Sequence, residues 1–308
     1  MGAFASAFQA LAPMFAVIMT GYLCKRLGVV DEREQPRMNH IGFQVFLPAL
    51  LFCNIYRADL HCAVRTELVV FILVALPVTA LLATLLAFAL VRERSQLGTA
   101  IQAVFRGNFV LVGMPIVCAL YDAADLVSIA LAVAVPMMNL LSVTVLELYG
   151  GERIKPLQIA GDVMKNPLVI ASLLGAVFLA AEIRLPAFVE SAAASLAQVA
   201  SPYLLFWLGA FFRFRLRFSR ELVFCIVGKL LLVPAAALGV AFLMGFRGEE
   251  FAVLLALFAA PNATSCFTMA QSKGGDEVLA GNAVVLSSAF SAVSLFGWIV
   301  LFQSLHVL

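Results

Sequence analysis

Arg106, Gly107, Asn108, Gly113 and Pro115 stand together in FRGNFVLVGMPIV (105–117), inside a run otherwise apolar enough for a lipid bilayer. A second stretch, LFAAPNATSCFTMAQSKGGD (257–276), carries Pro261 and Asn262 near the middle of its apolar part. Proline has no backbone N–H and displaces the carbonyl four residues before it, so each stretch is expected to expose unpaired backbone groups at membrane depth. Such backbone is tolerated only where protein buries it or a wet cavity meets it. Two helices that unwind at mid-membrane and cross would turn half-helix N-termini, with free N–H groups and partial positive charge, toward an anion. An amide beside a break, as at Asn108, can read a ligand's donors and acceptors together. A plain proline kink with glycines for close packing is the structural alternative.

Two cations extend the pattern. Arg106 and Lys229 each lie about eight or nine residues into an apolar run, roughly 12–13 Å along a helix, and would reach similar depth from the same side. Charges there are costly and face a cavity or a partner. All eighteen Asp and Glu fall in loops or near span ends, Glu147 deepest, so no carboxylate is placed to neutralise them. Unpaired positive charge in a cavity suits an anionic substrate; snorkelling to the headgroups is the alternative. With Asn139 in the next apolar run, the candidate substrate-binding set is Arg106, Asn108, Gly113, Pro115, Asn139, Lys229, Pro261 and Asn262.

The elements that must hold these residues are membrane helices. Of 308 residues, 63% are apolar and 12% charged, with a mean hydropathy of +1.04, far from soluble composition. An all-α polytopic membrane protein with ten spans is expected, at 4–24, 38–57, 67–91, 98–121, 126–149, 164–182, 186–212, 221–245, 251–272 and 278–304. The N-terminus lacks the basic region and cleavage site of a signal peptide, so the first run should be retained. Fourteen Lys and Arg fall on one side, including Lys25, Arg37, Arg92, Lys165, Arg220 and Lys273, against Arg57, Arg65, Arg184 and Arg247 on the other. The positive-inside rule then puts both termini outside, which is the periplasm where the membrane is a bacterial inner one. The basic run RFRLRFSR (213–220) serves as a topology anchor, not a nucleic-acid site.

Proline order reveals a repeat. Pro13 and Pro167 differ by 154, each with a glycine eight residues on; Pro48 and Pro202 differ by 154, and Pro77 and Pro234 by 157. Two five-span halves, 1–149 and 150–308, follow. Because five is odd, the second half enters inverted, an arrangement that marks secondary transporters with a midplane site, and the two broken stretches fall in the fourth and ninth spans.

The motifs LPALLF (47–52), N…GMP from Asn108 to Pro115, NPLVIASLLG (166–175), SPYLLFWLGAF (201–211) and APNATSCFTMA with the following GGD and NAVVLSSAFS together resemble the auxin efflux carrier family of permeases, over essentially the whole chain. That resemblance implies spans 1, 2, 6 and 7 as a scaffold, spans 3–5 and 8–10 as a moving core, crossed spans 4 and 9 at the substrate, an elevator-like movement and a homodimer. It also implies a small organic anion such as malonate or malate. An auxin-like aromatic carboxylate carrier or an anion channel is the alternative. The short 5–6 connection around GGERIKPLQ (150–158) disfavours a plant carrier regulated through a long loop.

An enzyme is disfavoured: no nucleophile with a base, no metal-ligand cluster and no cofactor motif stands out, and Cys24, Cys53, Cys62, Cys118, Cys225 and Cys266 lack ligand spacing. No Walker motif points to ATP. With no acidic residue deep in a span, coupling is expected to follow protons, through the substrate's own protonation, more than sodium.

Overall fold

The computed structural model describes residues 2–57, 65–121, 124–149, 161, 163–211 and 218–308. The 150–158 connection, Arg213, Arg215 and Arg217 of the basic run, and Cys62 lie outside the described residues.

Among the described residues the chain is helical, with no strand. Its helices are α1 (Gly2–Arg26), α2 (Gln35–Ile41), α3 (Leu47–Tyr56), α4 (Thr66–Leu90), α5 (Arg94–Phe105), α6 (Met114–Leu120), α7 (Ala124–Tyr149), α8 (Pro167–Ala180), α9 (Ala187–Phe211), α10 (Arg220–Val227), α11 (Val233–Leu243), α12 (Gly248–Ala259), α13 (Ser265–Ser272) and α14 (Glu277–Ser304). Six continuous helical stretches are long and apolar enough to cross a bilayer: Arg37–Tyr56, Thr66–Leu90, Leu126–Tyr149, Ala187–Ala210, Arg220–Leu243 and Glu277–Ser304. Two of the ten expected spans are instead divided, α5 from α6 and α12 from α13, at the residues singled out above.

Pro48, Pro115 and Pro234 share a local structure. Each stands two residues after a π-helical turn, at Gly42–Phe46, Phe109–Gly113 and Gly228–Leu232 respectively. The ring cannot accept the carbonyl four residues back in its α position, and the helix relaxes by widening. At Pro234 the displaced carbonyl is that of Leu230, which receives the Trp298 indole N–H at 2.9 Å. Pro13, Pro77, Pro136 and Pro202 sit inside helices without such a turn.

Two groups of helices have close internal contacts, and they touch where α1 meets α14 and α6 and where α7 meets α3 and α8. In one, α9 runs along α1 and α3, and α8 along α3; in the other, α4, α5 and α7 pack on one another, α5 also meets α10 and α14, and α12 meets α11. Membrane helices gain little from burying apolar surface, so close backbone approach through small residues matters most. A Cβ on Gly21 would fall on the Phe206 carbonyl, and one on Gly209 on the Ile18 carbonyl. Between α8 and α3, a Cβ on Gly175 would come to 3.1 Å from the Phe52 carbonyl. Gly21 and Gly175 differ by 154, and so do Phe52 and Phe206.

These contacts make a direct prediction. Gly209→Ala should lower the melting temperature in detergent, since the α1 and α9 backbones must separate, at a cost of at least about 1–3 kcal/mol. Gly239, with nothing within 4 Å of its would-be Cβ, should accept alanine at no loss and gain up to about 1 kcal/mol of helix propensity. Equal melting temperatures for the two variants would contradict the packing.

Candidate functional site

The two divided helices meet at their breaks. Gly107 and Asn262 form an isolated antiparallel bridge, and the Asn108 main-chain N–H donates to the Pro261 carbonyl at 2.7 Å. Asn108 also begins the turn toward α6: its Oδ1 accepts from the Leu111 N–H at 3.4 Å, and its carbonyl from Val112 and Gly113 at 3.1 and 3.3 Å. The Asn262 N–H donates to Ser287 Oγ at 3.1 Å. Much of the irregular backbone is therefore satisfied within the protein, as membrane depth requires.

The Leu257 carbonyl, in the last turn of α12, lies where only glycine fits, 2.9 Å from a would-be Cβ on Gly107. Lys229 Nζ sits equally close to the same point and donates to the Phe258 carbonyl at 3.1 Å. A cation at this position caps the C-terminal end of α12 and meets the negative pole of its dipole. Lys229 is fully buried, so it does not snorkel to the headgroups.

Arg106 works on the other face of the joint. Its guanidinium donates to the Met138 carbonyl (3.3 Å), Ser142 Oγ (3.0 Å), Asn139 Oδ1 (2.6 Å) and Ser265 Oγ (3.0 Å). One buried side chain thus ties the first break to α7 and to the first residue of α13. All four acceptors are neutral, and among the described residues no carboxylate pairs with it. The positive charge stays uncompensated.

Beside this joint is a cavity of about 60 Å³. Arg106, Asn108, Thr264 and Ser265 form one side, and Leu50, Leu51 and Asn54 of α3 with Ser201 and Leu204 of α9 another. At roughly 10–15 Å³ per water, it holds roughly four to six water-sized groups, the scale of a short carboxylic acid. Its polar lining is rich in donors. Asn108 Oδ1 is engaged with Leu111, which leaves Nδ2, buried and without a partner. Thr264 stands at the N-cap of α13 with no side-chain hydrogen bond, and the Cys266 and Phe267 N–H groups donate to the Ala263 and Thr264 carbonyls at 2.9 and 3.3 Å, so α13 brings the positive end of its dipole to the cavity wall.

A wider cavity of about 290 Å³ adjoins it, sharing Leu50, Asn54 and Val110 and reaching Arg57 and Gln198. Arg57 pairs there with Glu190 at 3.0 Å, both partly exposed. At the opposite end of the α2–α3 helix the surfaces are joined: Asn39 Nδ2 donates to the Thr268 carbonyl (3.3 Å) and Ser272 Oγ (3.2 Å) of α13.

Of the eight residues named from sequence, Arg106 and Asn108 line the smaller cavity. Asn139 stands behind Arg106, and Pro261 and Asn262 form the joint. Gly113 packs on the Ala256 carbonyl, Pro115 lies in the first turn of α6, and Lys229 lies behind Gly107. Sequence reasoning missed Asn54, Ser142, Thr264 and Ser265. Ser142 had a signal, standing three residues after Asn139 on one helical face; Asn54, a lone amide in LPALLFCN, had only its polarity.

A family model described as "Membrane transport protein" matches residues 6–299. A Methanothermobacter thermautotrophicus protein named "Uncharacterized transporter" is 26% identical over 96% of this chain and 98% of its own length. A Rhizobium meliloti protein named "Putative malonate transporter" is 27% identical over 95% of this chain and 94% of its own length. The chain belongs to the membrane transport protein family, the auxin efflux carriers its motifs resemble, and is a multi-pass transporter, not an enzyme.

Proposed function

We propose that the protein is a secondary transporter of small carboxylates, malonate-like acids foremost, working by alternating access around the smaller cavity. The observation that carries this reading is the lining: an uncompensated Arg106, the free Nδ2 of Asn108 and the positive end of α13 converge, with no carboxylate among the described lining residues. Such a site favours an anion. The relative named as a malonate transporter supports the substrate class.

In this reading the helices make ten crossings in two inverted halves, 1–149 and 150–308, with α5–α6 and α12–α13 as the crossed pair. The exchange of Gly21 on Phe206 for Gly175 on Phe52 at one common offset supports the inversion. The set containing α1, α3, α8 and α9 is the scaffold, and the other set carries the substrate past it in an elevator-like movement. The wider cavity leads to Arg57, on the side assigned outside, while Asn39 joins scaffold to core at the inner end. The conformation is accordingly open outward and closed inward. That closure favours a carrier over a channel.

The test is uptake into proteoliposomes with labelled malonate, malate, acetate and an aromatic acid under imposed gradients. Saturable uptake of the small acids, driven by a pH gradient and indifferent to sodium, is the expected result. A strict sodium requirement would reject the proton coupling, and single-channel currents would reject the carrier.

A further inference from the structure

We propose that Asn54 reads the second carboxylate of a dicarboxylate, and so sets the preference for dicarboxylates over monocarboxylates; the inference rests on the carboxylate reading above. α3 supplies the smaller cavity with three leucines and a single amide. Asn54 Nδ2 is buried without a partner, although the rest of that helix face is apolar. A buried donor left unmatched is a standing cost, which a ligand's acceptor removes.

The placement gives the donor a specific task. Arg106, Asn108 and the start of α13 come from the divided helices, whereas Asn54 comes from the α3 wall. An acid with one carboxylate is satisfied by the first group alone. An acid with two can place one on the divided helices and offer the other to Asn54. Asn54 also belongs to the residues shared by the two cavities, so an acid entering from the wider one passes it. Leucine keeps the branched outline of asparagine but is bulkier, so at an Asn54 that merely fills space any effect of leucine falls on malonate and acetate alike and leaves selectivity unchanged.

The experiment compares uptake of malonate and acetate by wild type, Asn54→Leu and the isosteric Asn54→Asp in proteoliposomes, with folded protein checked by size-exclusion chromatography. Losing a hydrogen bond to a charged group corresponds to about a ten- to hundredfold rise in KM for malonate. The acetate KM should stay within about twofold, because its carboxylate never reaches Asn54. Asn54→Asp, which places a negative charge opposite the second carboxylate, should impair malonate at least as much as Asn54→Leu. An unchanged malonate-to-acetate ratio in both variants overturns the role of Asn54 while leaving the carboxylate reading intact. So does a wild type that carries acetate and no dicarboxylate. A wild type that carries none of the acids overturns the carboxylate reading itself, and this inference with it.

Discussion

Arg106→Gln is expected to raise the KM for malonate by about thirtyfold to a few thousandfold, the range that follows from removing one partner of a buried, hydrogen-bonded charge pair. Arg106 is the one cation among the described residues that line the smaller cavity, and the four bonds of its guanidinium to neutral oxygens aim it without neutralising it. Glutamine can still bond to some of Asn139, Ser142 and Ser265, so folded protein should remain in the membrane. Arg106→Lys keeps the charge but not the planar fork, and should fall between wild type and glutamine. Lys229 provides the contrast. Its amine caps the Phe258 carbonyl behind Gly107, a bond that the amide of Lys229→Gln can replace, so KM should change little; Lys229→Met, which leaves the carbonyl bare, should reduce the folded fraction. Kinetics in proteoliposomes and melting curves in detergent separate these outcomes. A wild-type KM in Arg106→Gln would place the anion elsewhere.

The other large effect concerns movement. Cysteines at Asn39 and Ser272, introduced into a protein whose six native cysteines have been replaced, should be bridged by a short bifunctional methanethiosulfonate, because the native side chains are 3.2 Å apart. Bridging should bring uptake to background and leave outside binding of malonate intact. A reductant should restore the rate. The reason is geometric: if α2 belongs to a static body and α13 to a moving one, that contact must break once per cycle. Full transport by the bridged protein would show that the two helices travel together, and the division into scaffold and core would be redrawn.

The breaks themselves were legible in the sequence, because proline, glycine and asparagine inside an apolar run have few structural uses. Their meeting was legible only in outline. That Gly107 pairs with Asn262, and that the Leu257 carbonyl excludes a side chain at Gly107, depends on positions 155 and 150 residues apart that no local pattern connects. Arg106 and Lys229 show the limit most clearly. Equal depth in the membrane grouped them as two anion ligands, yet depth fixes a coordinate along the membrane normal and says nothing of direction around the helix. Arg106 points to the cavity and Lys229 to the end of α12. Asn54 escaped notice for a similar reason: a single amide has no spacing to betray it, and its use appears only when the α3 wall is set against the divided helices.

The three widened turns at Gly42–Phe46, Phe109–Gly113 and Gly228–Leu232 bear on how such chains diverge. A π turn stores one residue more than an α-helix needs for the same rise. Deleting a residue from an ordinary membrane helix rotates everything beyond it by about 100° and turns its buried face toward lipid. Deleting one from a widened turn restores regular winding, and the flanking faces keep their orientation. Relatives of this protein should therefore show single-residue gaps inside these three spans, at or just before the matching proline, in regions where membrane helices otherwise keep a fixed length.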